Sequence, residues 1–147
     1  MQKITPTITA AGIFLLLLYC TPSGGIIVAA ECDYLKSNIK KERDLIKRRA
    51  LFRQAVEVCP GDAGLHYSFA YGLERSRKYD EALEQYSLAL TLDPTLAQAY
   101  FNRGDIYQSR ENYAEAILAY QQGLLIDPEN SRARKNLAKA LGAAQNR

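Results

Sequence analysis

The chain's 147 residues give room for one domain, or for one domain plus a targeting segment. Hydrophobic residues make up 48% and charged ones 24%, a globular balance, and a net charge of +3 is too small for the basic field that a nucleic-acid binder needs. Tyr is frequent (10 residues against 4 Phe and no Trp), and its apolar face with a hydroxyl suits half-buried helix faces and binding grooves.

Residues 1–30 hold no acidic residue and one basic one, Lys3. Within them residues 10–20 form an apolar run with the length of a signal-peptide core, too short alone to cross a bilayer. Thr21-Pro22-Ser23-Gly24-Gly25 breaks the run, and Val28-Ala29-Ala30 offers the small residues a signal peptidase accepts, which places cleavage after Ala30. Two alternatives stay open. Ile26-Ile27-Val28 can extend the run into an uncleaved membrane anchor. Leu17-Leu18-Tyr19-Cys20 has the outline of a lipoprotein signal, although Tyr19 is too large for the position before a lipidated Cys. A cleaved leader makes the mature chain secreted or periplasmic; a retained or lipidated one makes it membrane-anchored. A basic stretch follows, with Lys36, Lys40, Lys41, Arg43, Lys47, Arg48, Arg49 and Arg53 opposed only by Glu42 and Asp44. It reads either as a solvated helix face or as a contact with anionic headgroups or an acidic partner.

From residue 63 the chain repeats with a period of 34, residues 63–96 aligning with 97–130 without a gap. The identical pairs are Ala63/Ala97, Tyr79/Tyr113, Glu81/Glu115, Ala82/Ala116, Tyr86/Tyr120, Leu90/Leu124, Asp93/Asp127 and Pro94/Pro128. This period predicts one helix–turn–helix per unit. Ala70 and Gly104 lie where the first helix of a unit, helix A, lets helix B approach, with Leu73 and Tyr107 as its large residues. Ala82, Ala89, Ala116 and Gly123 are the small residues of helix B, and Tyr86 and Tyr120 are knobs filling the space they leave. Asp93-Pro94 and Asp127-Pro128 end each helix B, because the residue before a Pro is pushed out of the α region. Carboxylates near Tyr79 and Tyr113 complement the dipole at its start.

This pattern resembles the tetratricopeptide repeat family. The resemblance implies an all-α solenoid of antiparallel helix hairpins, about three repeats and a C-terminal capping helix. Residues 63–96 and 97–130 are its clear units. One period back from Pro94 lies Pro60, with Phe52, Ala55 and Val58 at the places of Tyr86, Ala89 and Leu92, so residues 31–62 form a degenerate first unit. Leu35 and Ile39 fall on its core face, and Arg48 departs where Ala82 and Ala116 stand. Residues 131–147 form a cap and tail, a last helix A with Leu137, Ala138 and Leu141 in register and a polar outer face rich in Arg and Lys. In this register Cys32 starts the first helix A and Cys59 ends its antiparallel helix B. That is compatible with a disulfide; two free, partly buried thiols are the alternative.

His66, the single His, stands where many members of the family carry an aromatic residue, and reads as packing. Glu81 and Glu84 read as solvated positions. No convergent metal-ligand set, phosphate loop, nucleophile elbow or Ser/His/Asp set is evident, so neither a metal, a cofactor nor catalysis is expected.

The resemblance also implies a concave groove, made by the helix A faces, that takes an extended peptide or a partner helix. Its lining in this register is Tyr67, Ser68 and Tyr71, then Gln98, Phe101, Asn102 and Asp105, then Arg132, Lys135, Asn136 and Lys139. Asn102 and Asn136 stand one period apart, where side-chain amides can bond both N–H and C=O of a partner backbone. The aromatics would be anchors, and the cap's cations would favour an acidic segment or a C-terminal carboxylate. The subgroup of the family that grips chaperone C-termini uses a set of Lys, Asn and Arg. Asn102 and Arg132 fit that set, whereas Tyr67, Tyr71 and Asn136 depart from it, so chaperone-tail binding is not expected. The expected function is a non-enzymatic adaptor in the assembly or support of an envelope or secreted complex. The alternative is a membrane-anchored docking receptor or an outer-membrane lipoprotein.

Overall fold

A computed structural model describes residues 24–146 as seven α-helices with no strand among them: α1 (Gly24–Lys41), α2 (Leu45–Val58), α3 (Ala63–Arg75), α4 (Tyr79–Leu92), α5 (Ala97–Ser109), α6 (Tyr113–Ile126) and α7 (Ser131–Gln145). The apolar run at residues 10–20, with Cys20, lies outside the described residues. From Gly24, the first described residue, α1 runs unbroken past Ala30. Among the described residues no helix is long and apolar enough to cross a membrane.

Short turns fold each helix back on the one before it. The result is three antiparallel hairpins, α1–α2, α3–α4 and α5–α6, stacked in sequence with α7 against α6. α3 also meets α5, and α5 meets α7, which puts these three helix A elements side by side along one face. The all-α solenoid expected from the repeat is the observed architecture.

The helix ends have local causes. Asp44 caps α2 by accepting from the Ile46 and Lys47 N–H groups at 2.8 and 2.9 Å, and Asp62 caps α3 through Leu65 N–H at 2.9 Å. Asn130 does the same for α7 through Ala133 N–H at 3.0 Å. After α3 and α5 the chain turns through Arg77 and Glu111, whose φ angles are 59° and 61°. The Lys78 N–H bonds the Leu73 carbonyl and the Asn112 N–H bonds the Tyr107 carbonyl, both at 2.9 Å, so each turn is a Schellman-type C-cap.

Packing then follows the small residues. Ala55, Ala70, Ala82, Ala89 and Ala116 are completely buried and let the helices of a hairpin approach. Tyr86 and Tyr120 fill the space beside them, also with no exposure. A Cβ on Gly104 would lie 2.6 Å from the Tyr120 ring, and one on Gly123 would lie 2.6 Å from Cδ1 of Phe101, so both glycines are required by contact. Phe101, Leu73 and Ile106 are at most 1% exposed, and burying each such side chain contributes about 1.5–3 kcal/mol.

The first hairpin differs. Arg48 cannot be buried where Ala82 and Ala116 are; its guanidinium turns back and donates to the Glu42 carbonyl at 2.9 and 2.6 Å. α1 and α2 touch over fewer positions than the helices of the other hairpins. The stacked rings of Phe52 and Phe69, 5.4 Å apart, and the Lys36–Asp62 ion pair join this hairpin to α3. Cys32 and Cys59 are joined as a disulfide with Cα atoms 5.9 Å apart.

The cap, α7, is covered less than the earlier helix A elements. Its buried face is Ala133, Leu137 and Ala140, whereas Ala138 is exposed and Leu141 is 41% exposed. Ala138 and Leu141 stand one period after Gly104 and Tyr107, which are covered by their own helix B. Among the described residues no helix follows α7, and nothing described covers these two positions.

The candidate concave groove

The side-by-side packing of α3, α5 and α7 sets the polar side chains of successive units against one another. Tyr86, on α4, reaches through to this face, donating its hydroxyl proton to Glu74 Oε2 at 2.6 Å and accepting from Asn102 Nδ2 at 2.9 Å. Asn102 in turn accepts from Gln98 Nε2 at 2.8 Å. One unit later the Tyr120 hydroxyl lies 2.7 Å from Asp105 Oδ1 and 2.8 Å from Gln108 Oε1. Asn136 Nδ2 donates to Asp105 at 2.9 Å, and Arg132 pairs with the other Asp105 oxygen at 2.9 Å. The same construction therefore occurs twice. A helix B tyrosine is held from its own helix A, and an Asn from the next helix A closes the link.

This changes the role of two expected groove residues. Asn102 is only 4% exposed, and its amide is committed to Tyr86 and Gln98 rather than presented to a partner backbone. Phe101, expected as an anchor, is buried. Gly123 lacks the methyl that Ala89 carries one unit earlier, and the Phe101 ring packs into that gap. Tyr67, the counterpart of Phe101, is half-buried against Tyr86 with ring centres 5.8 Å apart.

The remaining expected residues lie at or near the surface. Ser68, Tyr71, Gln98, Arg132, Lys135 and Lys139 are exposed, while Asp105 and Asn136 are half-buried. Tyr71 is 46% exposed, with the Arg75 guanidinium 6.0 Å from its ring centre. Glu74, which the sequence reading missed, completes the floor. Burial pushes its carboxyl pKa up, although the Tyr86 hydroxyl that donates to it and Arg132 nearby act against this. Burial also raises the Tyr86 and Tyr120 hydroxyls, helped by Glu74 and Asp105 respectively. The Glu74 signal was present in the sequence, since it stands one period before Gln108, but only the position of Tyr86 gives it a partner.

His66 is buried between Gln85 Oε1, 2.8 Å from Nδ1, and the Pro60 carbonyl, 3.2 Å from Nε2, so both ring nitrogens have protein neighbours. Glu81 is tied to Lys78 and Arg53. Among the described residues no group of three His, Cys, Asp or Glu side chains can hold a metal ion.

Residues 77–110 match the family described as TPR repeat, and residues 97–130 match tetratricopeptide repeat. The chain is 34% identical over 114 residues to protein O-mannosyl-transferase TMTC1 of Mus musculus, covering 74% of this chain and 12% of that protein. It is 28% identical over 93 residues to a DnaJ homolog subfamily C member 7 homolog of Dictyostelium discoideum, covering 60% and 17%. The chain thus spans less than a fifth of the length of these curated relatives. Its fold is that of the first TPR domain of Spaghetti (RPAP3) bound to the HSP90 peptide SRMEEVD, with a TM-score of 0.65 at 19% identity, covering 87% of this chain and 98% of that one.

Proposed function

We propose that this chain, with tetratricopeptide repeats over residues 77–110 and 97–130, is a non-enzymatic adaptor that holds an extended peptide or partner helix on its concave face. One observation carries the reading: the helix A elements α3, α5 and α7 bring exposed Tyr71, Gln98, Lys135 and Lys139 along a shared face whose floor is fixed by internal hydrogen bonds. A floor already fixed by internal hydrogen bonds suits recognition, because only the exposed side chains above it have to be ordered when a partner lies down. That the Spaghetti domain of the same fold is bound to a peptide supports a peptide as the occupant. Arg132 is already held by Asp105, which argues against a free carboxylate clamp at that position.

The place of action proposed is the secreted or periplasmic space, in support of an envelope or secreted complex, after cleavage behind Ala30. The Cys32–Cys59 pairing supports an oxidising compartment. Membrane-anchored docking is the second reading, favoured by the unbroken run of α1 from Gly24 past Ala30. Two measurements test these proposals. A photo-crosslinking residue at Gln98 or Lys139 should capture a partner in the producing cell, while one at Leu118, on α6, should not. Capture from Leu118 alone sinks the concave reading. A mature N-terminus at Glu31 supports cleavage, whereas a full-length mass or a lipid adduct at Cys20 supports anchoring.

A further inference from the structure

A cavity of about 530 Å³ opens between α1, α2 and α3, where the first hairpin departs from the repeat. Its apolar floor includes Ile39, Phe52 and Phe69, and Lys40, Arg48, Arg49 and Arg75 surround it. No Asp or Glu is among the residues that line it. Arg48 stands where the other units have a fully buried Ala, and its bonds to the Glu42 carbonyl leave its charge uncompensated. Lys40, Arg49 and Arg75 enter no ion pair among the described residues. Leu45, also at the cavity, is 69% exposed.

The chemistry narrows the occupant. An uncompensated set of cations calls for carboxylates, and an apolar floor calls for a bulky apolar group of the size such a volume takes. Residues 1–30 of the chain contain no acidic residue and so cannot supply the charge. A bilayer surface is flat on this scale and cannot fill a recess walled by three helices. A small free anion has no use for the floor. Ser68 and Tyr71 line the cavity and also belong to the concave face, so a segment held on that face can continue into it.

We propose that this cavity binds a protein segment in which acidic residues flank a bulky apolar side chain. The apolar group rests on the Phe52–Phe69 pair, and the carboxylates meet Lys40, Arg49 and Arg75. This rests on the adaptor reading and adds a class of partner to it.

Gly72 provides a clean block. It lines the cavity, and a Cβ built there meets nothing within 4 Å, so the side chain of Gly72→Phe leaves the backbone without a clash at its root. A random-peptide display library selected on the full chain should enrich segments with Asp or Glu beside Leu or Phe. A fluorescein-labelled copy of an enriched peptide should bind about tenfold or more weakly to Gly72→Phe and to the Arg49→Glu/Arg75→Glu double variant, with helix content unchanged by circular dichroism. Enriched peptides without acidic residues, or undiminished binding to both variants, overturn the proposal. So does saturable binding to phosphatidylserine vesicles that Gly72→Phe abolishes, which would make a membrane the occupant. Loss of peptide binding in Lys135→Ala/Lys139→Ala but not in Gly72→Phe keeps the groove reading and ends this one. No enrichment at all ends both.

Discussion

At the residue scale, one substitution has opposite consequences at two glycines. Gly72 lies inside α3 with open space where a Cβ would go, so Gly72→Ala removes backbone freedom from the unfolded chain and should stabilise by about 0.5–1 kcal/mol. Gly123 sits against the Phe101 ring, so Gly123→Ala forces that buried ring to move and should destabilise by about 1–3 kcal/mol. Thermal melts of the two variants check the pair, and the same sign for both would mean that the α5–α6 contact is softer than its geometry. Glu74 gives a pH-dependent case. Burial raises its folded pKa above the ordinary value of 4.5, so ionisation is disfavoured in the folded state. Its contribution is therefore most favourable below pH 4.5 and is lost as the pH climbs through the raised value. Gln keeps an acceptor for the Tyr86 hydroxyl and cannot ionise. The melting temperature of Glu74→Gln relative to the parent should thus be higher at pH 7 than at pH 4; an equal difference at both would show that the carboxyl does not report on folding.

At the element scale, the helices of the two clear units were legible because each end and each close contact has its own residue type. Asp93-Pro94 and Asp127-Pro128 follow α4 and α6, and Ala82, Ala116, Tyr86 and Tyr120 sit at their contacts fully buried. The left-handed turns were not legible, because Arg77 and Glu111 occupy positions that Gly or Asn would announce. Nor was the exposure of Ala138 and Leu141, which depends on the packing around them rather than on the residues themselves. Arg48 marked the first hairpin as irregular in the sequence, and the structure gives the consequence: α1 has thin packing and leans on the Cys32–Cys59 bridge. With 27 residues of sequence separation, loss of that bridge should cost on the order of 3 kcal/mol. Reduction, or Cys32→Ser with Cys59→Ser, should lower the melting temperature and strip hydrogen-exchange protection from α1 first, leaving α5 and α6 protected. Uniform loss of protection along the chain would show that α1 is as firmly held as the clear units.

At the scale of the whole molecule, the groove was legible as a surface but not as a network. Sequence spacing put Tyr67, Tyr71, Asn102, Asp105 and Asn136 on helix A faces. Whether an amide looks outward or inward depends on a tyrosine arriving from a helix B, which no pattern on helix A records. The inward orientation makes Asn102 the tie between the α3–α4 hairpin and α5. A solenoid's stability is the sum of its units and their interfaces, so a tie of this kind governs how far the array unfolds as one body. Asn102→Ala leaves the Tyr86 hydroxyl without its donor and Gln98 without its acceptor, a loss of about 1–3 kcal/mol. Asn136→Ala should cost less, because Asp105 keeps Arg132 and the Tyr120 hydroxyl. Urea unfolding followed by both tyrosine fluorescence and circular dichroism separates the two cases. Asn102→Ala should lower the apparent m-value and pull the two transitions apart, whereas Asn136→Ala should shift a single coincident transition. If Asn102→Ala also unfolds in one step with an unchanged slope, the coupling runs through the apolar contacts of α4 with α5, and the buried amide serves only its own site.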